Sequence, residues 1–272
     1  MSDDKAVAIT VLEKTVWSPT LFSFKTTRPN GFRFEAGQFA RLGVNPSELK
    51  YPIGNAADER IFRAYSVVSS PYHEYLEFFS VVVPDGGFTS QLQHLQVGDG
   101  LYLNPMVFGF LTLSRYQEPT PQDLWLLATG TGLAPFLSIL QGLDSWQNYD
   151  NIVLVYSVRT LQELAYLEQI RKLAADFGVL ADNPARLHFV PIITRDNVKQ
   201  IDDIGVLNTR LPKLITSGEL ERFVGLGLNA NSSHVMLCGN PQMVEDTKEA
   251  LKQKGLTMNR RGVGNIAVEN YW

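Results

Sequence analysis

Short apolar runs separated by turn-forming residues fill the chain up to about residue 113 and predict β-strands. Two of the separators, Pro29-Asn30-Gly31 and Ser70-Pro71, are made of residues that favour turns. Several strands at this spacing predict an antiparallel barrel or sandwich. One short helix is predicted at 89–95, where Thr89 or Ser90 can cap it. The predicted strands are 6–12, 21–26, 38–43, 64–68, 76–83 and 100–103.

The hydrophobic period changes after the polar segment 117–122, whose two prolines make it the best linker. Beyond it, solid apolar runs alternate with stretches of helical period, which predicts a parallel sheet with crossover helices. The chain therefore divides into domains 1–117 and 118–272. The predicted strands of the second domain are 124–128, 152–157, 188–193 and 234–237. One predicted helix ends at residue 140, and two others span 161–177 and 241–254.

Composition excludes several classes of protein. A length of 272 residues with 44% hydrophobic and 19% charged residues fits two ordinary globular domains. The net charge of −4 argues against nucleic acid as the main partner. No apolar run is long enough to span a membrane and no signal-peptide pattern is present, so we expect a cytoplasmic protein. The single cysteine, Cys238, excludes an internal disulfide and an all-cysteine iron–sulfur cluster.

Two turns of the second domain follow predicted strands and open predicted helices. In Thr129–Pro135, the glycines Gly130 and Gly132 allow backbone amides to approach a phosphate at a helix N-terminus. A plain tight turn remains the alternative, because a proline stands where the full dinucleotide fingerprint has its third glycine. The second turn is Cys238-Gly239-Asn240-Pro241, at a strand end where open α/β sheets bind ligands. Its alternative is a buried cysteine that ends a core strand.

Three arginines, Arg159, Arg195 and Arg210, lie beyond or between the predicted strands of this domain. Guanidinium groups bind phosphates in a bidentate manner, although a solvated surface position is the alternative for each. Thr194 precedes Arg195, and a hydroxyl beside a guanidinium suits the 2′-phosphate that distinguishes NADP from NAD.

Aromatic residues mark two further sites. In Arg63-Ala64-Tyr65-Ser66, strand alternation puts Arg63 and Tyr65 on one face and Ser66 on the other, as in any half-buried strand. The sequence ends on Tyr271-Trp272, and rings at a chain end are ordered only when something ties them down. A flat cofactor would provide such a surface.

Taken in order, Arg63–Ser66, Pro84–Ser90, Gly130–Pro135, Cys238–Pro241 and the final Tyr-Trp pair resemble the ferredoxin–NADP reductase family. The ending is similar to its bacterial flavodoxin/ferredoxin branch, and the resemblance runs from about residue 7 to the last residue. It implies an N-terminal antiparallel β-barrel that holds FAD and a C-terminal α/β parallel-sheet domain that binds NADP(H). The C-terminal tail would return to the flavin.

The resemblance also implies individual roles. Tyr65 and Tyr271 would cover the two faces of the flavin ring, and Trp272 would stack on the adenine. Ser66 would lie near flavin N5 and Cys238 near nicotinamide C4, which makes Ser66, Cys238 and Tyr271 the catalytic set. FAD would be bound by Arg63, Ala64, Tyr65, Ser66, Val81, Val82, Gly87, Phe88, Thr89, Thr131, Tyr271 and Trp272, and NADP by Gly130, Gly132, Arg159, Thr194, Arg195, Arg210, Gly239, Asn240 and Pro241.

The implied activity is electron transfer between NADPH and a one-electron carrier, ferredoxin or flavodoxin, by a monomer without a metal. Two alternatives remain open. One is a reductase for an oxygenase or for free flavin, and the other is a non-enzymatic flavin- or nucleotide-binding regulatory module. Residues 49–60 are longer than a minimal hairpin and have no assigned role.

If Tyr271 occupies the flavin face that the nicotinamide needs, it must be displaced before hydride transfer. Tyr271→Ser is then expected to strengthen NADP⁺ binding, measured by difference absorbance titration. An unchanged affinity would contradict a displaceable lid.

Overall fold

The amino-terminal apolar runs form one antiparallel sheet of six strands. The protein is described by a computed structural model at residues 3, 5–49, 60–83 and 87–270. The strands lie side by side in the order β4-β3-β6-β1-β2-β5. Their bounds are β1 (Val7–Ser18), β2 (Leu21–Thr27), β3 (Phe39–Val44), β4 (Ile61–Ser66), β5 (Tyr75–Val81) and β6 (Gly100–Phe108), with one short helix, α1 (Thr89–Leu92).

The two edge strands of this sheet, β4 and β5, are joined just beyond the end of β4. Val67 forms an antiparallel bridge with Phe78 of β5, and the Val68 N–H donates to the Glu77 carbonyl at 2.8 Å. Because closure satisfies backbone groups that an open edge would expose, the sheet curls into a barrel. The predicted antiparallel barrel is confirmed.

Aromatic and aliphatic side chains fill the barrel. Phe24 lies near its centre, and its ring centroid is 6.1 Å from that of Phe22 and 5.6 Å from that of Phe78. On β1, the buried residues Ile9 and Val11 alternate with exposed ones, as expected for a strand with one face in the core.

The carboxy-terminal apolar runs form a parallel sheet in the order β13-β12-β7-β8-β9. Its strands are β7 (Asp123–Thr129), β8 (Asn151–Val158), β9 (Arg186–Ile193), β12 (Ser233–Gly239) and β13 (Ile266–Asn270), and β10 (Gln200–Ile201) pairs with β11 (Ile204–Gly205) in a small hairpin. The helices are α2 (Ala134–Leu140), α3 (Leu143–Asn148), α4 (Leu167–Leu180), α5 (Leu211–Thr216), α6 (Glu219–Val224) and α7 (Pro241–Gln253).

The central strands of this sheet are covered on both faces. Consecutive residues of β7, such as Trp125, Leu126 and Leu127, are fully buried although their side chains alternate between faces. That pattern is typical of a parallel sheet between helices. The predicted α/β domain is confirmed, and no helix in the described ranges is long and apolar enough to cross a membrane.

Several predicted bounds differ from the observed ones. The helix predicted at 161–177 is a short 3-10 turn at Leu161–Glu163 and then α4, because the buried Tyr166 takes a left-handed conformation with φ of 62° between them. Strand β13 was not predicted, because its five residues become a strand by pairing with β12, which is not adjacent in sequence. The structure has two compact units, Met1–Gly109 and Phe110–Trp272, and the domain division after residue 117 stays a prediction.

Phe24→Ala is expected to lower the free energy of unfolding by about 3–5 kcal/mol, because it leaves a cavity in the barrel. Urea denaturation measures the change. The matched control is Tyr72→Ala, whose ring is 84% exposed and whose loss is expected to change stability by less than about 0.5 kcal/mol. Equal effects of the two substitutions would contradict the assigned core.

Candidate functional site

The carboxyl edge of the parallel sheet has a point where the strand order reverses. From β7 the chain proceeds to β8 and β9 on one side, and β12 returns to the other side of β7. Open α/β sheets bind ligands at such switch points. The two predicted phosphate-binding turns follow β7 and β12 directly, so the fold brings them together here.

The two turns pack backbone against backbone. A methyl group at Gly132 would lie 2.3 Å from the Cys238 carbonyl oxygen, and one at Gly239 would lie 2.2 Å from Thr129 Oγ1. The Asn240 N–H donates to the same Thr129 oxygen at 3.0 Å. Glycine is therefore required at both positions, because the two backbones approach too closely for a side chain. At Gly239 it is also favoured by the φ of +136°, which other residues rarely adopt.

Gly130 has a different role from the two packed glycines. Its φ is +53°, and a methyl group there would meet no heavy atom within 4 Å. It opens a 3-10 turn, Gly130–Leu133, that continues directly into α2, and Thr131 lies half-buried in that turn. Amides at a helix start favour anions, and the open space beside Gly130 leaves room for one.

The second turn is shaped by helix capping. The Asn240 side chain accepts hydrogen bonds from the backbone amides of Gln242 at 3.0 Å and Met243 at 3.3 Å, and Pro241 occupies the first turn of α7. The Asn-Pro pair is thus explained by capping. Cys238 is fully buried at the end of β12, between Ala128 of β7 and Glu269 of β13.

Arg159 follows β8 and is held by Glu163. Its Nε and Nη2 donate to Glu163 Oε1 at 2.8 and 2.5 Å, and its backbone N–H donates to Oε2 at 2.9 Å. This hydrogen bonding raises the pKa of Arg159. Glu163 is not among the predicted site residues, although its position four residues after Arg159 is a spacing that permits pairing.

Thr194 and Arg195 follow β9, next to Arg159. The Arg195 N–H donates to the Arg159 carbonyl at 2.8 Å, so the two arginines are backbone neighbours. The Thr194 hydroxyl donates to the Val158 carbonyl at 3.2 Å. Arg195 and Arg210 are exposed, and Arg210 precedes α5. Arg159 forms an ion pair with Glu163, whereas Arg195 and Arg210 form no ion pair with the described residues.

In the barrel, Tyr65 is fixed by its neighbours. Its hydroxyl lies 2.9 Å from Ser80 Oγ, its ring meets Phe78 edge-on at 6.3 Å, and it lies 5.7 Å from the Phe88 ring. Burial raises the pKa of Tyr65 well above its usual value, so the phenol stays neutral. Ser80 is a partner that the sequence pattern does not reveal, since it lies on a different strand.

The segment after β5 approaches Tyr65 through the buried Phe88. Thr89 Oγ1 accepts from the Val83 N–H at 3.0 Å, which ties the start of α1 to the end of β5. Val81 and Val82 are half-buried at this strand end, whereas Gly87 is exposed with open space around its Cα. Residues 84–86, in the middle of the predicted motif, lie outside the described residues.

The remaining predicted flavin residues lie on β4. Arg63 and Ala64 are exposed, and Arg63 Nη1 donates to the neighbouring Phe62 carbonyl at 2.8 Å. Ser66 is buried at the strand end, opposite Phe39 of β3. Tyr271 and Trp272 lie outside the described residues, as do residues 50–59 of the long loop. The last described residue, Asn270, pairs with Gly239 at the carboxyl edge of the parallel sheet.

Three comparisons with known proteins agree with this arrangement. Residues 126–249 match the family described as oxidoreductase NAD-binding domain. A ferredoxin–NADP reductase of Pseudomonas aeruginosa is 38% identical over 255 residues, covering 92% of this chain and 91% of the relative. A flavodoxin/ferredoxin–NADP reductase of Escherichia coli is 38% identical over 258 residues, covering 94% of each chain.

The similarity extends to a solved structure. The crystal structure of a ferredoxin NADP⁺ reductase from Neisseria gonorrhoeae with bound FAD and NADP matches with a TM-score of 0.83. The two sequences are 34% identical, and the match covers 98% of each chain.

Gly132→Ala is expected to destabilise the protein and weaken nucleotide binding, because the new methyl group would collide with the Cys238 backbone. Thermal unfolding and nucleotide titration measure both effects. The control is Gly178→Ala in α4, where the space is open and the helix favours alanine by about 0.5–1 kcal/mol. If Gly132→Ala were as stable as Gly178→Ala, the close packing of the two turns would be wrong.

Proposed function

Because this chain belongs to the ferredoxin–NADP reductase family, we propose that it is an FAD-dependent oxidoreductase that transfers electrons between NADPH and a one-electron carrier, ferredoxin or flavodoxin. The observation that carries the proposal is the pair of glycine turns at the switch point of the parallel sheet. These turns pack backbone to backbone, and the open space beside Gly130 would leave room for a nucleotide phosphate.

NADP(H) would be held at this carboxyl edge by backbone amides and by arginine side chains. The backbone at Gly130, Thr131 and Gly132 would receive the pyrophosphate, next to the Gly239–Pro241 turn. Arg159 and Arg210 would balance phosphate charge. Arg195 is our choice for the 2′-phosphate, because it is exposed and has no ion-pair partner among the described residues. Thr194 can donate to that phosphate only if its hydroxyl leaves Val158.

FAD would be held by the barrel. Tyr65 offers a ring whose orientation is fixed by Ser80, Phe78 and Phe88, so that little conformational entropy is lost when a flat group stacks on it. Gly87 has room on its open side for a phosphate. The full proposed set is Arg63, Ala64, Tyr65, Ser66, Val81, Val82, Gly87, Phe88 and Thr89 from the barrel, with Thr131, Tyr271 and Trp272 from the second unit.

No side chain is required for acid–base catalysis. FAD supplies the chemistry when bound, because it accepts two electrons as a hydride and releases them singly. The protein contributes position. Ser66 at the end of β4 and Cys238 at the end of β12 would border the reacting atoms, and Tyr271 would cover the flavin until the nicotinamide arrives.

The carrier would be ferredoxin or flavodoxin, and the reductase would act as a monomer in the cytoplasm. The lone cysteine supports a reducing compartment, since it can form no internal disulfide. The family relatives named for ferredoxin or flavodoxin support the class of carrier.

The purified protein is expected to be yellow and to lose its visible absorbance rapidly when mixed with NADPH. Stopped-flow absorbance measures this step, with NADH at equal concentration as the matched control. We expect NADPH to react at a much lower half-saturating concentration, because only NADPH carries the phosphate that Arg195 would bind.

The reduced protein should then pass electrons to ferredoxin or flavodoxin. A colourless protein that takes up no FAD would refute the proposal. A protein that prefers NADH and reduces free flavin but neither carrier would instead favour the alternative reductase function.

A further inference from the structure

Asn208 lies at the carboxyl edge of the sheet, beside the loop that carries Thr194 and Arg195. Leu207 forms a parallel bridge with Ile192 of β9. The Ile193 N–H donates to the Leu207 carbonyl at 2.9 Å, and the Leu207 N–H donates to the Pro191 carbonyl at 3.1 Å. This short strand-like contact sets Asn208 level with the end of β9.

The side chain of Asn208 binds the following loop at several points. Its Nδ2 lies within hydrogen-bond distance of the carbonyl oxygens of Ile193 at 3.0 Å, Asp196 at 3.2 Å and Val198 at 2.9 Å, so its two hydrogens are shared among three acceptors. Its Oδ1 accepts from Lys199 Nζ at 2.7 Å. The half-buried Asn208 therefore contacts the loop both before and after Arg195.

The opposite side of the same loop is held by the end of β8. The Thr194 and Arg195 amides donate to the carbonyls of Val158 at 3.1 Å and Arg159 at 2.8 Å. Asp196 Oδ2 accepts from the Leu161 N–H at 2.7 Å. The backbone of Arg195 is thus fixed from two sides, although its side chain is exposed and makes no ion pair with the described residues.

Arg159 and Arg195 are therefore positioned in different ways. Arg159 is oriented through its own side chain by Glu163. Arg195 has no such anchor among the described residues, so the direction in which its guanidinium extends is set by its backbone. Among the described residues, Asn208 is the side chain that donates to backbone carbonyls both before and after Arg195.

We propose that Asn208 is a positioning residue for coenzyme selection, which acts through the loop backbone to aim Arg195 at the 2′-phosphate of NADP(H). This rests on the proposed function, because it assigns that phosphate to Arg195. Asn208 would discriminate in favour of NADP(H) over NAD(H) without touching either nucleotide.

The test measures binding to the FAD-loaded protein of two adenosine ligands, 2′,5′-ADP and 5′-ADP, by isothermal titration calorimetry. Only the first has a 2′-phosphate. Asn208→Ala is expected to weaken 2′,5′-ADP binding roughly five- to tenfold, the size expected for lost hydrogen bonds that order a binding group, and to leave 5′-ADP binding unchanged. The ratio of NADPH to NADH half-saturating concentrations should shift to the same extent.

Two controls separate positioning from general stability. Asn229→Ala removes a comparable asparagine, which accepts from the Asn231 and Ser232 amides in another loop of the same unit, and should change neither ligand's affinity. In an Arg195→Ala background, Asn208→Ala should have no further effect on 2′,5′-ADP, because a residue that acts through Arg195 loses its effect when Arg195 is absent.

Equal weakening of both ligands, or additive effects of Asn208→Ala and Arg195→Ala, would overturn the proposal. If Asn208→Ala does not fold, Asn208→Ser, which keeps one donor, is measured against the same criteria. Failure of the proposed function is distinguishable, because the unsubstituted protein would then not prefer 2′,5′-ADP to 5′-ADP at all.

Discussion

The contact between the backbones of two turns is the central constraint of the nucleotide-binding unit. Gly132 lies against the Cys238 carbonyl and Gly239 against Thr129, and neither position has room for a side chain. This contact aligns the ends of β7 and β12 at the switch point of the sheet. The space beside Gly130, at the start of the turn that leads into α2, is open.

Around that contact, the carboxyl edge of the sheet carries positive charge of two kinds. Arg159 is neutralised and oriented by Glu163, whereas Arg195 and Arg210 extend from a fixed backbone into solvent. A paired arginine is already in position but must share its hydrogen bonds with a ligand. An unpaired arginine offers its full charge to a phosphate, and the direction of its side chain depends on the loop that holds its backbone.

In the barrel, the main constraint is the fixed orientation of one aromatic ring. Tyr65 is held by a hydroxyl contact with Ser80 and by ring contacts with Phe78 and Phe88, which come from a different strand and from the start of α1. Thr89 ties that start to Val83. The hydrophobic interior of the barrel and the Tyr65 ring are therefore parts of one packed assembly.

Local pattern was enough to predict the two sheets and the turns with their glycines, because strand period, helix period and turn residues are properties of neighbouring positions. The family was indicated by the resemblance of the ordered motifs. The partners of the site residues could not be predicted in this way, because Ser80 meets Tyr65, Thr129 meets Gly239 and Asn208 meets the Arg195 loop only through tertiary pairing. Strand β13 was not predicted for the same reason, since its short run pairs with β12. Residue types indicated which chemistry was present, and long-range packing determined which groups are already engaged and which are open to a ligand.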